Sequence, residues 1–302
     1  MNALSNAYKK LVPKFNGFSR FTLPFFFMMK TPLIFFLLMI QSLLSQFLVE
    51  GVVTDAETGQ TLPYVNIGIP AQGIGTVSDE SGFYTLYIPA DKMAYQIRFS
   101  MVGYAAHEVL ISFLEEANVR LYDVALSPQT TLLNEVVVTD GSWEVSRVGN
   151  KTKSKRFISG FTSNKLGNEM AQFVRVKKNR PTKVQSFWVS IAENTLESVI
   201  LRLNLYSVHE GFPHENMLTI PIFIEVPNTP QVVSVDLTPY DIYVEDSFFI
   251  SLEWIEDLGT EGLWFSAGML GKSLFARATS QDRWVQQKFN IGMGVEILQQ
   301  KN

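Results

Sequence analysis

From Gln46 onward the chain alternates apolar and polar side chains with a period of two, and Gly, Pro, Asp and Ser interrupt the pattern about every 8 to 12 residues. Only a β-strand sends successive side chains to opposite faces. The repeated short strands therefore predict an all-β chain of two β-sandwich domains. In the second half, "SFWVSI" puts Phe187, Val189 and Ile191 on one face. "ESVILRLNLYSV" turns Val199, Leu201, Leu203 and Leu205 inward, with Arg202 and Asn204 outward. "FFISLEWIED" groups Phe248, Ile250, Leu252 and Trp254, and "KFNIGMGVEIL" groups Phe289, Ile291, Met293, Val295 and Ile297 against Asn290, Gly292, Gly294 and Glu296. Each large side chain buried contributes about 1.5 to 3 kcal/mol, collectively enough for an independent jelly-roll-like sandwich over residues 161–298.

The first half has the same character with tighter punctuation. "FLVEGVVTD" is a strand turned by "DAETGQ", where Asp55 accepts backbone hydrogen bonds and Gly59 takes positive φ. Pro63 lacks a ladder donor and belongs at a strand start or edge, so Tyr64, Val65, Asn66 and Ile67 are expected to continue a strand, with Val65 and Ile67 facing the core. Ser78, Asp79, Glu80 and Gly82 form a polar turn. Phe83, Thr85 and Tyr87 then alternate with Tyr84, Leu86 and Ile88. Ile97, Phe99 and Met101 share a face before a bend at Gly103 and Tyr104, and Val119 and Leu121 open the last strand, with Val124 and Leu126 as further members.

In order, these residues read G-x-V-x-D-x-x-T-G-x-x-L-P-Y-V-N-I (Gly51 to Ile67), G-T-x-S-D-x-x-G-x-F (Gly75 to Phe83, with Thr76, Ser78, Asp79 and Gly82) and F-S-x-x-G-Y (Phe99 to Tyr104). The stretch 46–127 resembles the carboxypeptidase-regulatory-like domain, and the resemblance implies a transthyretin-like seven-stranded β-sandwich without catalytic residues. Such domains accompany metallocarboxypeptidases and occur in envelope proteins of the Bacteroidota, among them TonB-dependent outer-membrane receptors. "LLNEVVVTD", residues 132–140, resembles the linker to a receptor plug. The remaining 160 or so residues cannot supply a 22-stranded barrel. Residues 128–160 are assigned as a linker whose part from 140 on, polar and basic with Lys151, Lys153, Lys155 and Arg156, reads either as a connector or as an extended surface strand.

Residues 1–45 are expected to be an upstream extension plus a signal peptide. "MMKTPLIFFLLMIQSLLSQ" has a basic start, an apolar stretch and small or polar residues at Ser42 and Ser45, which predicts removal near Ser45/Gln46 with a true start at Met28 or Met29. The other reading keeps Phe21 to Leu44 as an uncleaved membrane anchor. The chain has no cysteine, which excludes disulfides, Cys-ligated zinc and a thiol nucleophile. A net charge of -4 gives no overall attraction to nucleic acid, and none is expected as a partner.

No reactive constellation emerges. His209, Glu210, His214 and Glu215 share one loop, but the histidines are five apart and Pro213 breaks any helix, so a zincin pair is not formed. Asp55, Asp79 and Glu80 read as turn formers rather than calcium ligands. Glu115/Glu116 and Glu256/Asp257 read as solvated charges, and Ser266 lacks a nucleophile-elbow context. Catalytic, cofactor-binding and metal site residues are each expected to be none. Trp188, Trp254, Trp264 and Trp284 remain: Trp254 has core parity, Trp188 the opposite parity, and the other two flank turns. The expectation is a secreted, non-enzymatic module of the periplasm or outer membrane whose partner is another envelope protein. A glycan-binding or carbohydrate-active jelly roll is the other reading, and it requires carboxylates or tryptophans converging on one exposed concavity.

Overall fold

The computed structural model describes residues 46–129, 141–259, 262–269 and 271–301. The signal segment within 1–45 and the plug-like linker at 132–140 lie outside the described residues. Residues Gln46–Asn302 form one compact unit, built almost wholly of strands.

Seven strands make the first sandwich: β1 (Gln46–Asp55), β2 (Asn66–Ile69), β3 (Ile74–Val77), β4 (Phe83–Pro89), β5 (Gln96–Ser100), β6 (His107–Leu110) and β7 (Val124–Leu126). They pair as a three-stranded sheet, β4-β1-β7, and a four-stranded sheet, β3-β2-β5-β6. The inward set Val49, Val53, Ile67, Tyr84, Leu86, Ile88, Ile97 and Phe99 fills the space between them. A short helix, α1 (Ile111–Glu116), adds Ile111 and Leu114 to this core.

The motif residues are explained by this packing. The Asp55 carboxylate accepts from the backbone N–H groups of Glu57 and Thr58 and, through its other oxygen, from the Tyr104 hydroxyl at 2.8 Å. The V-x-D and G-Y motifs are thus one tie across the sandwich. Ser78 is fully buried, donating to the Leu62 carbonyl while accepting from the Val65 N–H. Pro63 and Tyr64 form a turn and the strand begins only at Asn66, later than expected. Tyr64 has φ 60°, the left-handed region, which ends any ladder through it. Leu121, expected in the last strand, precedes β7 and is 66% exposed, while Val124 and Leu126 are buried.

The second sandwich holds β8 (Trp143–Gly149), β9 (Ile158–Phe161), β10 (Glu169–Val174), β11 (Thr182–Asn194), β12 (Ser198–His209), β13 (Phe212–Asn216), β14 (Ile222–Pro227) and β15 (Val232–Asp236). It continues with β16 (Tyr243–Val244), β17 (Phe248–Trp254), β18 (Leu263–Met269), β19 (Leu274–Arg277), β20 (Val285–Gln286), β21 (Phe289–Ile291) and β22 (Met293–Gln300). One sheet runs β13-β12-β17-β10-β19-β20, with β14 also on β12. The other runs β21-β18-β11-β22-β8, with β15 and β16 on β11 and β9 on β18. The predicted inward residues of β11, β12, β17 and β22 make one core between the sheets.

Two expectations need correction. The stretch assigned as a linker to residue 160 contains β8, paired antiparallel to β22 from Trp143↔Gln300 to Gly149↔Gly294, and β9, paired to β18. Its polar composition reflects an edge strand with one face in water. Arg202 and Asn204 do oppose the leucines of β12, but they are buried, because that face of the sheet is also covered.

Candidate functional site

The covered face carries the most unusual chemistry of the molecule. Pairing of β12, β17, β10 and β19 sets Arg202 opposite Glu253, Glu253 opposite Glu169, and Glu169 opposite Arg277, one row of four charges across four strands. Neither carboxylate is exposed to solvent. Arg202 donates from Nε and Nη2 to Glu253 Oε2 at 2.9 and 2.8 Å, and Arg277 Nη2 lies 2.6 Å from Glu169 Oε2 and 3.5 Å from Glu253 Oε1. Asn204 Nδ2 bridges the carboxylates, 2.9 Å from each, and the Ser251 and Tyr206 hydroxyls donate to Glu169.

Burial pushes the Glu169 carboxyl up against the pull of Arg277, yet all four of its contacts are donors, the pattern of an ionised carboxylate. Burial opposes the charge of Arg277, but Glu169, Tyr206 and Glu253 hold its pKa above the usual arginine value. Two positive and two negative groups thus compensate one another out of water, where one removed alone would leave a costly unpaired charge.

This row ends at the first sandwich. Arg202 Nη1 donates to the backbone carbonyl of Tyr64, the residue whose left-handed turn aims that oxygen outward from its own sheet. The Tyr64 ring packs 5.4 Å from Phe223, and with Val77 and Ile255 forms a small buried cluster. Burial, with help from Glu80 and Glu256, pushes the Tyr64 hydroxyl up to about 12. Beyond β19 the loop at 279–282 lies on the outer face of the four-stranded sheet. Ser280 Oγ donates to Asn66 Oδ1 and Gln281 Nε2 to Ser100 Oγ, each at 2.7 Å, while the Ala71 and Gly73 N–H groups bond Gln281 O and Asp282 Oδ1. A Cβ on Gly75 would lie 2.3 Å from Ser280 O, so only glycine admits the loop there. The motif-bearing sheet is therefore occupied by the chain's own second domain.

The opposite sheet is free among the described residues. Its outer face carries Phe83, Thr85 and Tyr87 on β4, Leu48, Glu50 and Val52 on β1, and Leu121 beside them, with Tyr87 60% exposed. The register Val52↔Phe83 and the bond from Val53 N–H to Gly82 O point the N–H and C=O groups of Thr85 and Tyr87 away from β1. Strand β4 is an uncharged, aromatic edge.

The residues singled out by sequence do not assemble elsewhere. His209 and His214 face each other across the β12–β13 hairpin with ring centroids 4.8 Å apart. Among the described residues no three His, Asp or Glu side chains gather as metal ligands. Asp79 accepts from Ser81 and Phe83 within its turn, Glu256 accepts from the Ile200 N–H, and Ser266 pairs with Ser190, Oγ to Oγ 3.1 Å. Trp254 is in the core. Trp188 is buried beneath the Arg147 guanidinium, 4.4 Å away. Trp264 belongs to β18 of the eight-stranded sheet, while Trp284 packs on Tyr206 of the seven-stranded one, so they share no concavity. The charge row was missed because each of its members was read as solvent-facing or passed over. The signal present is a single charge inside apolar strands: "EMAQFV", "SLEW" and "LFAR".

Residues 49–138 match the family model of the CarboxypepD_reg-like domain. A TonB-dependent receptor of Formosa agariphila is 27% identical over 146 residues, which are 48% of this chain and 13% of the receptor. The chain therefore spans about an eighth of that relative. The cysteine protease and lectin-like domains of a surface layer associated protein of Clostridium difficile superpose with a TM-score of 0.38 at 8% identity, over 79% of this chain and 59% of that one. This likeness is too low to bear on function.

Proposed function

With residues 49–138 a CarboxypepD_reg-like domain, we propose that the protein is an exported, non-enzymatic binding module of the cell envelope that engages another envelope protein through its first sandwich. The carrying observation is the asymmetry of that sandwich: the four-stranded sheet is docked on the chain's own second domain, while the three-stranded sheet presents Phe83, Tyr87 and Leu121 outward beside the unpaired edge of β4. An uncharged edge strand is normally blunted by charge, proline or a bulge. Strand β4 ends at Pro89, but before it the N–H and C=O groups of Thr85 and Tyr87 stand open beside aromatic side chains, which suits addition of a short partner strand, main-chain bonds giving affinity and alternate side chains specificity. The shared segment with a TonB-dependent receptor supports an envelope setting.

A photo-crosslinking residue at position 87 should capture an envelope protein in living cells, with the same residue at exposed Tyr240 as the control. Equal capture at both positions, or none at 87, defeats the reading. The glycan alternative draws no support from the tryptophans: Trp188 and Trp254 are buried, and Trp264 and Trp284 lie on different sheets.

A further inference from the structure

The chain has three histidines, and His107 is engaged: its Nε2 lies 3.0 Å from the Tyr122 hydroxyl. The other two stand on the hairpin that joins β12 to β13. Its register pairs His209 with Phe212 and Val208 with Pro213, which leaves Glu210 and Gly211 as a two-residue turn. Both take positive φ, 51° and 83°, as the type I′ turn requires to match the twist of its strands. In such a hairpin the diagonal neighbour of His209 on the same face lies two residues beyond its partner, and that residue is His214. A separation of five, which excludes a shared ion on a helix, is the one this turn needs to bring two side chains together.

Both histidines are exposed, and their ring centroids are 4.8 Å apart. With a zinc–nitrogen bond of about 2.0–2.1 Å and about 1.1 Å from ring nitrogen to ring centre, two imidazoles on one ion have centres about 4.5 Å apart at a right angle and about 5.2 Å at the tetrahedral angle. The observed pair falls between these values. Neither ring makes a hydrogen bond or an ion pair among the described residues, although Glu210 and Glu215 are neighbours in sequence. The hairpin beneath them is fastened. Phe212 packs on Phe275 with ring centroids 5.5 Å apart, Pro213 is buried, the Glu215 N–H donates to Ser207 Oγ at 3.1 Å, and Asn216 Nδ2 donates to Asn204 Oδ1 at 3.0 Å. The two donors are thus held together before any ion arrives, which spares binding the entropy of ordering them.

We propose that His209 and His214 form a binding site for a divalent transition-metal ion such as zinc. Imidazole nitrogen suits zinc, copper and nickel, whereas magnesium and calcium take oxygen ligands. The chain has no thiolate to offer, and no third His, Asp or Glu completes the set among the described residues. The ion's other positions therefore take water and stay open to solvent. Seven residues, about 23 Å of strand, separate His209 from Arg202. The ion braces the far end of the hairpin and leaves the charge row untouched. Nothing in this site depends on the partner read for β4, so crosslinking at Tyr87 and metal binding succeed or fail separately.

The test is calorimetric titration of the full chain, purified without a histidine tag and stripped with EDTA, with zinc chloride. The wild type should bind one zinc ion per chain, and zinc should raise its melting temperature. His209→Gln and His214→Gln should each weaken zinc binding roughly a hundredfold, because a single imidazole lacks the effective concentration of the second. His107→Gln should bind as the wild type does. Without metal, the two hairpin variants should melt with the wild type, since both side chains are exposed; a lost signal then reports binding and not unfolding. No zinc uptake by the wild type, undiminished uptake by either hairpin variant, magnesium bound as tightly as zinc, or one ion shared between two chains would each overturn the proposal.

Discussion

Asp55 shows how much one side chain of the motif holds. Bonds from the Thr58 backbone first, then the Tyr104 hydroxyl, keep its carboxyl below the usual carboxylate value. A folded pKa below the unfolded one means that the ionised form stabilises the fold above pH about 4 and that the contribution fades as pH falls through the lowered value. Tyr104→Phe should move the Asp55 titration back toward its ordinary range in a carboxyl NMR titration. At the charge row, Glu253→Gln should cost about 3 to 5 kcal/mol, because Arg202 is left buried against a neutral amide; the urea midpoint would fall with its slope unchanged. The sequence disclosed Asp55 and its turn because side-chain capping is local. It hid the row because Arg202, Glu253, Glu169 and Arg277 meet only through pairing of four strands distant in sequence.

Among elements, strands buried on one face were legible, and those buried on both were only half so. Alternation on β12 and β22 marks the core side correctly, but it is silent about what lies on the other side. On β12 that is the charge row and the first sandwich; on β22 it is the segment 150–157 between β8 and β9, whose Thr152 carbonyl lies over Gly292. Gly292 of "NIGMGVEI" marks where residues 150–157 cross the sheet, since a Cβ there would lie 2.3 Å from Thr152 O. Gly292→Ala should therefore destabilise by about 1 to 3 kcal/mol through overpacking, and trypsin should cut after Lys151 to Arg156 faster than in the wild type. A thermal melt and a timed digest check both effects. The expected linker went astray for the same reason: a polar segment with backbone partners on a sheet is compositionally identical to one without them.

For the whole molecule, the junction makes two sandwiches behave as one. Tyr64, Asn66, Gly68, Gly75 and Ser100 of the first meet Arg202, Phe223 and the loop at 279–282 of the second. Calorimetry of the wild type should show a single cooperative transition, and Gly75→Ala, which drives a methyl against Ser280 O, should split it into two. The charge row has a further effect, on the order of assembly during folding. If β10 slid by two residues against its neighbours, its inward apolar set would still face the core, yet Glu169 would meet Ser251 and Phe275 while Arg277 and Asn204 lost the carboxylate they hold. Hydrophobic collapse by itself would tolerate that error; four charges that are satisfied in one alignment do not, so the row proofreads the sheet before the molecule closes.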